Sequence, residues 1–371
     1  MKKRKYQYFA CMALLATFIT SCTKEPEINK LSYTDEVGGK VEYLVLSFQN
    51  ETQLNQKILE IERQEDISAY ETNLGYASIG RLSDEFFSTI DFSSFSSENE
   101  VIEYMEENKK YIDNETEYDG NISYMPKFFH SRYRYVANKD GIYQVGDSIY
   151  RLFNAGTVST TSNHLNELRS LTDDTLGFLN NSPTFRYVPN HERHYVEAVS
   201  GVASLTPTAF SEDGCFALPM DTTFVNTRAD MRIYSEFTCL LNIGGGPSII
   251  GIDSYCKMNI CFGIWIVVKR NIDYNVNTVY HYREYIGGIG PTAYEDECTE
   301  YTYSMYENPE NSFHHNKPIA GQQFDYRPNV CTIFWFFHSY DPKWYEIIRF
   351  TNINITVHAA SVSQTILISN N

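Results

Sequence analysis

The sequence predicts an α+β protein with a helix-rich N-terminal part, a β-meander, and an antiparallel, sandwich-like β region at the C-terminal end. Apolar residues recur at helical spacing after Asn50, short strand-like runs surround glycine turns between 131 and 153, and period-two alternation dominates beyond Val196. A sandwich is the natural way to bury many half-apolar strands. We expect a signal peptide over 1–21, a flexible tether over 22–40, the helix-rich region with the meander over 41–195, and the β domain over 196–371.

Two helices are predicted in the N-terminal part. Apolar residues between 54 and 61 form one helical stripe, and Asn50 with Gln53 has the spacing of an N-terminal capping pair. Ser97, followed by Glu100 three residues later, predicts the start of a second helix. These stripes are typical of ordinary core packing, and nothing in them indicates a cofactor site.

The β-meander is predicted from three short segments. Polar and aromatic residues alternate over 131–137, and the Asn-Lys-Asp-Gly turn at 138–141 ends in a glycine suited to the left-handed conformation. Two further strands are expected at 142–145 and 149–153.

The alternation in the C-terminal part is clearest between 230 and 242. Met231, Ile233 and Phe237 share one face of the predicted strand, whereas Arg232, Tyr234 and Glu236 share the other. Such alternation is typical of a strand with one face on a core and one face in water.

The N-terminus carries the pattern of an export signal. A basic segment at 2–5 precedes an apolar stretch of 11 residues at 9–19, well short of the ~20 that a membrane-spanning helix needs. The stretch closes with Ile19-Thr20-Ser21-Cys22, which resembles the lipobox of bacterial lipoproteins. The resemblance implies cleavage before Cys22, acylation there with fatty acids such as palmitate, and attachment to a lipid bilayer through that anchor.

The segment Thr23-Lys24-Glu25-Pro26-Glu27 directly follows the predicted lipid site. It resembles the acidic surface-export signal of Bacteroidota lipoproteins, which implies an outer-membrane lipoprotein displayed on the cell surface. An ordinary polar tether in the periplasm-facing leaflet is the alternative, because residues after a lipid anchor are usually polar whatever their destination.

The charge of the chain excludes some partners. Residues 1–21 hold four basic residues and no acidic one, so their removal changes the net charge from −17 to −21. A surface this acidic repels phosphate backbones and anionic headgroups, so we expect no nucleic acid partner and no electrostatic membrane attachment.

Six cysteines remain once Cys11 is removed with the signal peptide and Cys22 is lipidated: Cys215, Cys239, Cys256, Cys261, Cys298 and Cys331. An even number in an exported protein predicts disulfides, and six allow 15 connectivities. If Cys256 and Cys261 share one strand, their Cα atoms lie roughly 16 Å apart on opposite faces, beyond the ~7 Å limit for a bridge.

The chain carries no recognisable catalytic or metal-binding sequence motif. The chain lacks the G-x-S-x-G elbow, the P-loop and the H-E-x-x-H helix, and no Cys/His spacing fits a zinc site. His191 and His194 are wrongly spaced for a metal helix and are expected in a surface loop. We assign no catalytic residue, no metal ligand and no cofactor.

Tyrosine is the one unusual component, with 29 residues in the chain. Tyr234, Tyr280, Tyr282, Tyr301 and Tyr303 have spacings that point outward from predicted strands. Outward tyrosines can form an amphipathic platform for sugars or protein partners, although tyrosine also suits half-buried strands whatever the function.

The segment Asn-Lys-Asp-Gly-Ile-Tyr-Gln-Val-Gly-Asp-Ser-Ile-Tyr-Arg-Leu-Phe at 138–153 resembles a sequence shared among uncharacterised lipoproteins of gut Bacteroidota. That family carries no assigned activity, so the resemblance implies localisation more than mechanism. We expect a non-catalytic surface module that binds a glycan or a protein. The alternative is a hydrolase of glycans or peptides whose site is assembled from distant residues.

Three short motifs resemble the sequon of general O-glycosylation in exported Bacteroidota proteins. They are Asp147-Ser148-Ile149, Asp174-Thr175-Leu176 and Asp221-Thr222-Thr223. The resemblance implies modification at Ser148, Thr175 or Thr222, each of which is expected at an exposed position because a glycan is bulky and solvent-bound. Aspartate followed by serine or threonine is also an ordinary turn or cap pair.

Overall fold

The computed structural model describes residues 26–34, 40–62, 64, 66–190, 193–205, 222–239, 250–261, 263–288, 290–305, 315–320 and 343–369. The predicted signal peptide and Cys22 lie outside these residues, as do Cys215, Cys331 and His191.

The strands, in chain order, are β1 (Glu27–Thr34), β2 (Lys40–Phe48), β3 (Ile112–Thr116), β4 (Ile122–Pro126), β5 (Ile142–Val145), β6 (Ser148–Phe153), β7 (Gly156–Thr161), β8 (Arg186–Pro189), β9 (His194–Glu197), β10 (Val202–Leu205), β11 (Thr222–Arg228), β12 (Met231–Cys239), β13 (Ile250–Cys261), β14 (Ile264–Val268), β15 (Asp273–Gly288), β16 (Gly290–Met305), β17 (His315–Ala320), β18 (Lys343–Ala359) and β19 (Val362–Ser369). The α-helices of the described residues are α1 (Glu51–Glu62), α2 (Ile67–Leu74), α3 (Ile79–Ser88), α4 (Glu98–Glu107) and α5 (Leu165–Ser170).

The predicted fold class, with a helix-rich N-terminal part and a purely antiparallel β region, is wrong. The chain is mostly β-sheet, arranged in three mixed sheets, and its helices are short. The six-stranded sheet has the order β1-β2-β5-β6-β7-β8, the five-stranded sheet β10-β19-β18-β15-β16, and the eight-stranded sheet β3-β4-β14-β13-β12-β11-β9 with β17 beside β13. Parallel pairs occur in all three, for example β2 with β5, β10 with β19 and β4 with β14.

Residues 27–34 of the predicted tether form a strand instead. β1 occupies Glu27–Thr34 and pairs along its whole length with β2 in antiparallel register. β2 buries Val45, Leu46 and Phe48. A buried strand needs neighbouring strands for its backbone hydrogen bonds, and the segment before β2 supplies one of them.

The chain divides into two compact units that differ from the predicted consecutive domains. The first unit comprises residues 1–82 and 130–189, and the second comprises 83–129 and 190–371. Residues 83–129 join the second unit because β4 pairs in parallel with β14, at Ser123–Trp265 and Tyr124–Ile266.

Local predictions in the first unit are largely confirmed. α1 starts with Asn50 Oδ1 accepting a hydrogen bond from the Gln53 amide at 3.0 Å, while the Gln53 side chain accepts from the Gln49 amide at 2.6 Å. The two predicted strands of the meander form β5 and β6, and Gly141 has a φ of 77°. The strand predicted over 131–137 is wrong, since Arg132–Tyr135 forms a 3₁₀ turn capped by the Ser131 hydroxyl.

In the second unit, one apolar core joins the five- and eight-stranded sheets. β11 to β13 contribute Phe224, Phe237 and Cys256, and the facing strands contribute Ile353 and Ile366, all almost fully buried. This core lies on one face of the eight-stranded sheet only. The opposite face of that sheet is covered by side chains from residues 86–129, which also belong to the second unit.

Candidate functional site

A pocket in the first unit is lined by three tyrosines. Tyr143 on β5 and Tyr150 on β6 are directly paired across the hairpin, and Tyr133 comes from the 3₁₀ turn. We call these residues, with Glu51 and Asn55 of α1, the tyrosine pocket; Leu54 and Val145 complete its lining. Its volume is about 100 Å³.

The three rings of the tyrosine pocket form a continuous stack. Tyr133 and Tyr143 have ring centroids 5.5 Å apart and an interplanar angle of 14°, and Tyr143 and Tyr150 have values of 5.1 Å and 13°. Tyr143 is buried, and the other two are half-buried. The stack therefore presents a fixed aromatic wall beside a carboxylate and an amide.

Burial raises the pKa of Tyr143 well above the usual phenol value, with the neighbouring tyrosines and Glu51 adding to the effect. The pKa of Tyr150 is raised too, by burial and then by Glu51. Both hydroxyls therefore remain protonated near neutral pH, where each can donate one hydrogen bond and accept others.

The second unit holds a buried cluster of charges on the face of β12 that was predicted to meet water. Arg232 and Tyr234 are 3% and 0% exposed, so that prediction is wrong. The reason is the turn of the β3–β4 hairpin, which lies over this face and carries Glu117 and Asp119. We call the set defined by Lys257, Arg232, Tyr234, Glu115, Glu117 and Asp119 the charge cluster.

Lys257 on β13 is the centre of the charge cluster and is fully buried. Its Nζ donates to Glu117 Oε1 at 2.6 Å and to Ser123 Oγ at 2.9 Å, and it also contacts Glu115 Oε1. The second oxygen of Glu117 accepts from the Tyr234 hydroxyl and from Arg232 Nη1, the latter at 3.3 Å. Both carboxylate oxygens of Glu117 are thus occupied.

Arg232 completes the ionic part of the charge cluster. Its Nη2 donates to Asp119 Oδ2, and its guanidinium lies 3.8 Å from the centroid of the Trp265 ring. Burial acts to raise the pKa of Asp119, but hydrogen bonds from Arg232 and Asn121, together with the Arg232 charge, outweigh it and hold that pKa below its usual range. Burial and the adjacent Glu117 carboxylate raise the pKa of Tyr234 far above its usual value.

The two edges of the eight-stranded sheet meet beside the charge cluster. Arg193, which precedes β9, lies 3.6 Å from Glu115 of β3 and 3.4 Å from Glu236. The Tyr118 and Tyr195 rings lie 5.9 Å apart across the same junction. The sheet is therefore strongly curled, and its concave face encloses charged groups that compensate one another.

Of the five tyrosines in the predicted platform, Tyr234 has a described side chain, and for this residue the prediction is wrong. Tyr234 is buried and stacks on its cross-strand neighbour Tyr255, with ring centroids 4.9 Å apart, so it cannot contact a partner in solvent. Tyr280 and Tyr282 lie on β15, and Tyr301 and Tyr303 lie on β16, but their side chains fall outside the part of the molecule that the structure describes.

The tyrosines that do line a pocket were missed. Tyr143 and Tyr150 are equidistant from the Gly146-Asp147 turn, so the hairpin register alone places them opposite each other. That signal was present in the sequence. No sequence signal indicated Tyr133, because its position depends on a 3₁₀ turn where alternation had indicated a strand.

Cys256 is the one predicted disulfide cysteine whose side chain is described, and it is a free, buried thiol. It lies in the apolar core, where Ile233 and Val268 are its cross-strand neighbours. Cys256 and Cys261 do share one strand, as predicted. Cys239, Cys261 and Cys298 lie on strands, but their side chains are outside the described part, so disulfides among the cysteines other than Cys256 stay a prediction.

The three predicted glycosylation sites differ in exposure. Thr222 is 9% exposed because β11 is flanked by β9 and β12, so the expectation of an exposed position is wrong there. Ser148 begins β6 and is half-buried. The Thr175 hydroxyl is half-buried and donates to the Thr172 carbonyl at 2.7 Å within a 3₁₀ turn.

The described residues contain neither a cluster suited to a metal ion nor a helix suited to span a membrane. Within them, no three His, Cys, Asp or Glu side chains are grouped so that they could hold a metal ion. Nor does this part of the chain contain a helix with the length and apolar character needed to cross a bilayer.

The chain was compared with family models, curated proteins and solved structures. No family model matches it, and no curated protein matches it. A crystal structure of a DUF4848 family protein from Bacteroides thetaiotaomicron is similar at 9% sequence identity, covering 91% of this chain and 99% of that chain with a TM-score of 0.22. A TM-score this low assigns neither a fold nor an activity to the chain.

Proposed function

We propose that this chain is an exported lipoprotein, anchored in the outer membrane through acylated Cys22 and displayed at the cell surface, that binds glycans through the tyrosine pocket without altering them chemically. The observation that carries the binding proposal is the stack of Tyr133, Tyr143 and Tyr150 beside Glu51 and Asn55. The lipobox and the basic N-terminus support the anchor.

The chemistry of the tyrosine pocket suits a sugar. A sugar ring has apolar C–H faces and hydroxyl edges, and the stacked phenols offer aromatic carbon together with protonated hydroxyls. Glu51 and Asn55 add a carboxylate and an amide, which accept and donate hydrogen bonds to sugar hydroxyls. A volume of about 100 Å³ accommodates part of a ligand, such as the terminal sugar of a chain, because pockets for whole small ligands usually reach ~300 Å³ or more.

A hydrolase remains the alternative, and the charge cluster is where the described residues bring several carboxylates together. A glycosidase needs one protonated carboxyl group and one free carboxylate on either side of the substrate. Glu117 is instead 1% exposed and bonded to Lys257, Tyr234 and Arg232, and Asp119 is paired with Arg232. Carboxylates occupied in this way by partners within the protein are not free to flank a glycosidic bond, which disfavours a glycosidase site here.

The binding proposal is tested with the full chain and a panel of neutral and acidic oligosaccharides immobilised on an array, followed by calorimetry on the best binder. We expect Tyr150→Ala to weaken binding about tenfold or more, which corresponds to ~1.4 kcal/mol. Tyr150→Phe removes only the hydroxyl and should cost a smaller factor, about two- to tenfold.

Tyr187→Phe is the matched control, since Tyr187 lies in the same unit and its hydroxyl bonds the Ala155 carbonyl outside the pocket. It should bind the glycan as the parent does. Equal binding by the parent and Tyr150→Ala would place the site elsewhere, and no binding to any glycan would remove the proposed function.

The anchor is tested separately in a Bacteroidota host. We expect the parent chain to fractionate with outer membranes and to be accessible to protease added to intact cells. Cys22→Ala should move the chain to the soluble fraction, because the acyl groups would be its only strong attachment to the bilayer. A Cys22→Ala chain that stays with membranes would contradict the anchor, whereas protection from protease would favour the periplasm-facing leaflet.

A further inference from the structure

Lys257 is a buried primary amine that contacts two carboxyl groups, both on the β3–β4 hairpin. Its Nζ lies 2.6 Å from Glu117 Oε1 and in contact with Glu115 Oε1, and Lys257 and Glu117 are 0% and 1% exposed. The three side chains come from β13, β3 and the β3–β4 turn, so the contact joins segments that are about 140 residues apart in the chain. All of them belong to the second unit.

We propose that Lys257 and Glu117 form an intramolecular amide bond, which covalently joins the β3–β4 hairpin to the eight-stranded sheet. Lysine Nζ is a nucleophile when it is desolvated and neutral, and a carboxylic acid is its acylation partner. Because the two groups are held in contact by the fold, the reaction is intramolecular, with the large effective concentration that such placement brings.

The bond changes balance without any further reactant. A proton moves from the Lys257 ammonium to the Glu117 carboxylate, which leaves a neutral amine and a carboxylic acid. The Nζ lone pair then attacks Glu117 Cδ to form an N–C bond. Glu115 accepts a second proton from Nζ and delivers it to the departing hydroxyl, the C–O bond breaks, and one water molecule leaves. The products are the amide and water.

The surroundings supply the groups that this reaction needs. The Tyr234 hydroxyl and Arg232 Nη1 both donate to Glu117 Oε2, the oxygen on which negative charge develops during attack. Glu115 contacts the same Nζ and is placed to carry the proton. Arg193, 3.6 Å from Glu115, keeps a positive charge beside that carboxylate.

The amide product would find its hydrogen-bond partners already in place. Its N–H can donate to Ser123 Oγ, which lies 2.9 Å from Nζ, and its carbonyl can accept from Tyr234 and Arg232. Burying an ion pair costs desolvation free energy that the attraction only partly recovers. Conversion of the pair to a neutral, fully hydrogen-bonded amide removes that cost, while Arg232 keeps Asp119 as its ionic partner.

Peptide mapping of the full chain isolated from its host tests the proposal. The folded protein is denatured and digested with a protease that does not cut at lysine, and the fragments are sequenced by mass spectrometry. We expect a branched fragment that joins residue 257 to residue 117 and is lighter by one water than its two parts. Linear fragments with an unmodified Lys257 and Glu117 would overturn the proposal and leave the pair as ions.

Three variants complete the test. Lys257→Arg should abolish the branched fragment. The intact mass of this variant should exceed that of the parent by the lysine-to-arginine difference plus one water, because the variant loses no water. Glu115→Gln keeps both reacting groups but removes the proton carrier, so the bond should form at least tenfold more slowly after export. Glu107→Gln, an exposed carboxylate on α4, is the matched control and should leave the bond unchanged. A Glu115→Gln chain that reacts at the parental rate would overturn the assigned role of Glu115.

Discussion

Cys256 and Lys257 are adjacent on β13 and show how burial sets the chemistry of a side chain. Successive residues of a strand point to opposite faces, so the Cys256 thiol enters the apolar core while the Lys257 amine enters the charge cluster. Burial raises the pKa of the Cys256 thiol to about 12, against a smaller opposite effect from Arg270. The thiol is therefore chemically inert in the folded chain, whereas the amine beside it is held among reactive partners.

We predict that the Cys256 thiol resists alkylation in the folded protein. A thiol with a pKa of about 12 has on the order of 10³-fold less thiolate at pH 8 than one near ~8.5, and the core also excludes the reagent. Iodoacetamide labelling of the native full chain, read out on the fragment that contains Cys256, should be at least about 100-fold slower than labelling of the urea-denatured chain. Equal rates would show that Cys256 is exposed.

In the six-stranded sheet, the pairing of β7 with β8 depends on the close approach of their backbones at Gly156. Gly156 starts β7 and pairs with Pro189 at the end of β8. A Cβ atom at Gly156 would lie 2.7 Å from Tyr187 Cε2 and 2.8 Å from Pro189 Cα, and it would also collide with the Val188 carbonyl oxygen. Two of these neighbours are backbone atoms, which cannot rotate away as a flexible side chain can.

Gly156→Ala should therefore destabilise the β7–β8 pair by about 1–3 kcal/mol, the usual cost of overpacking. Gly177→Ala is the matched control, because nothing lies within 4 Å of a Cβ there and the residue sits in a 3₁₀ turn. We expect its thermal midpoint, followed by circular dichroism of the full chain, to equal the parental value or exceed it slightly. A Gly156→Ala midpoint as high as that of Gly177→Ala would contradict the predicted clash.

At the scale of the whole molecule, buried phenols couple folding to alkaline pH. Burial raises the pKa of Tyr234, Tyr255 and Tyr274 in the second unit and of Tyr76 and Tyr143 in the first. An acid whose pKa is higher in the folded chain than in the unfolded chain stabilises folding below the unfolded value. That stability is lost as the pH rises above it.

We accordingly predict that these groups make the free energy of unfolding neither rise nor fall with pH below ~10, the ordinary phenol pKa. Above that pH, the free energy of unfolding should fall steadily. Urea midpoints measured at intervals across that pH should decline, and phenolate absorbance should show a group of tyrosines that ionise only as the chain unfolds. A folded chain in which all tyrosines titrate reversibly near pH ~10 would falsify the linkage.

Local features were predictable because they depend on neighbours in sequence. The Asn50 cap, the Gly141 turn and the strands β5 and β6 followed from residue types at fixed spacing. The charge cluster was not predictable in this way, since the same alternation that makes Arg232 and Glu236 look solvent-facing also fits a face covered by complementary charges. Nothing in the sequence near β12 shows that a hairpin 115 residues earlier lies over it.

The acidic character of the chain and the hairpin register that sets Tyr143 opposite Tyr150 follow directly from the sequence, while the export signal and its lipidation motif stay predictions from it. Each of these depends on composition or on short-range spacing. Three features became visible only in the tertiary structure: the mixed β-sheets, the stacking of Tyr133 on Tyr143, and the contact between Lys257 and Glu117. Those outcomes depend on contacts between distant segments, and such contacts are selected by the burial of whole sheet faces rather than by any local pattern.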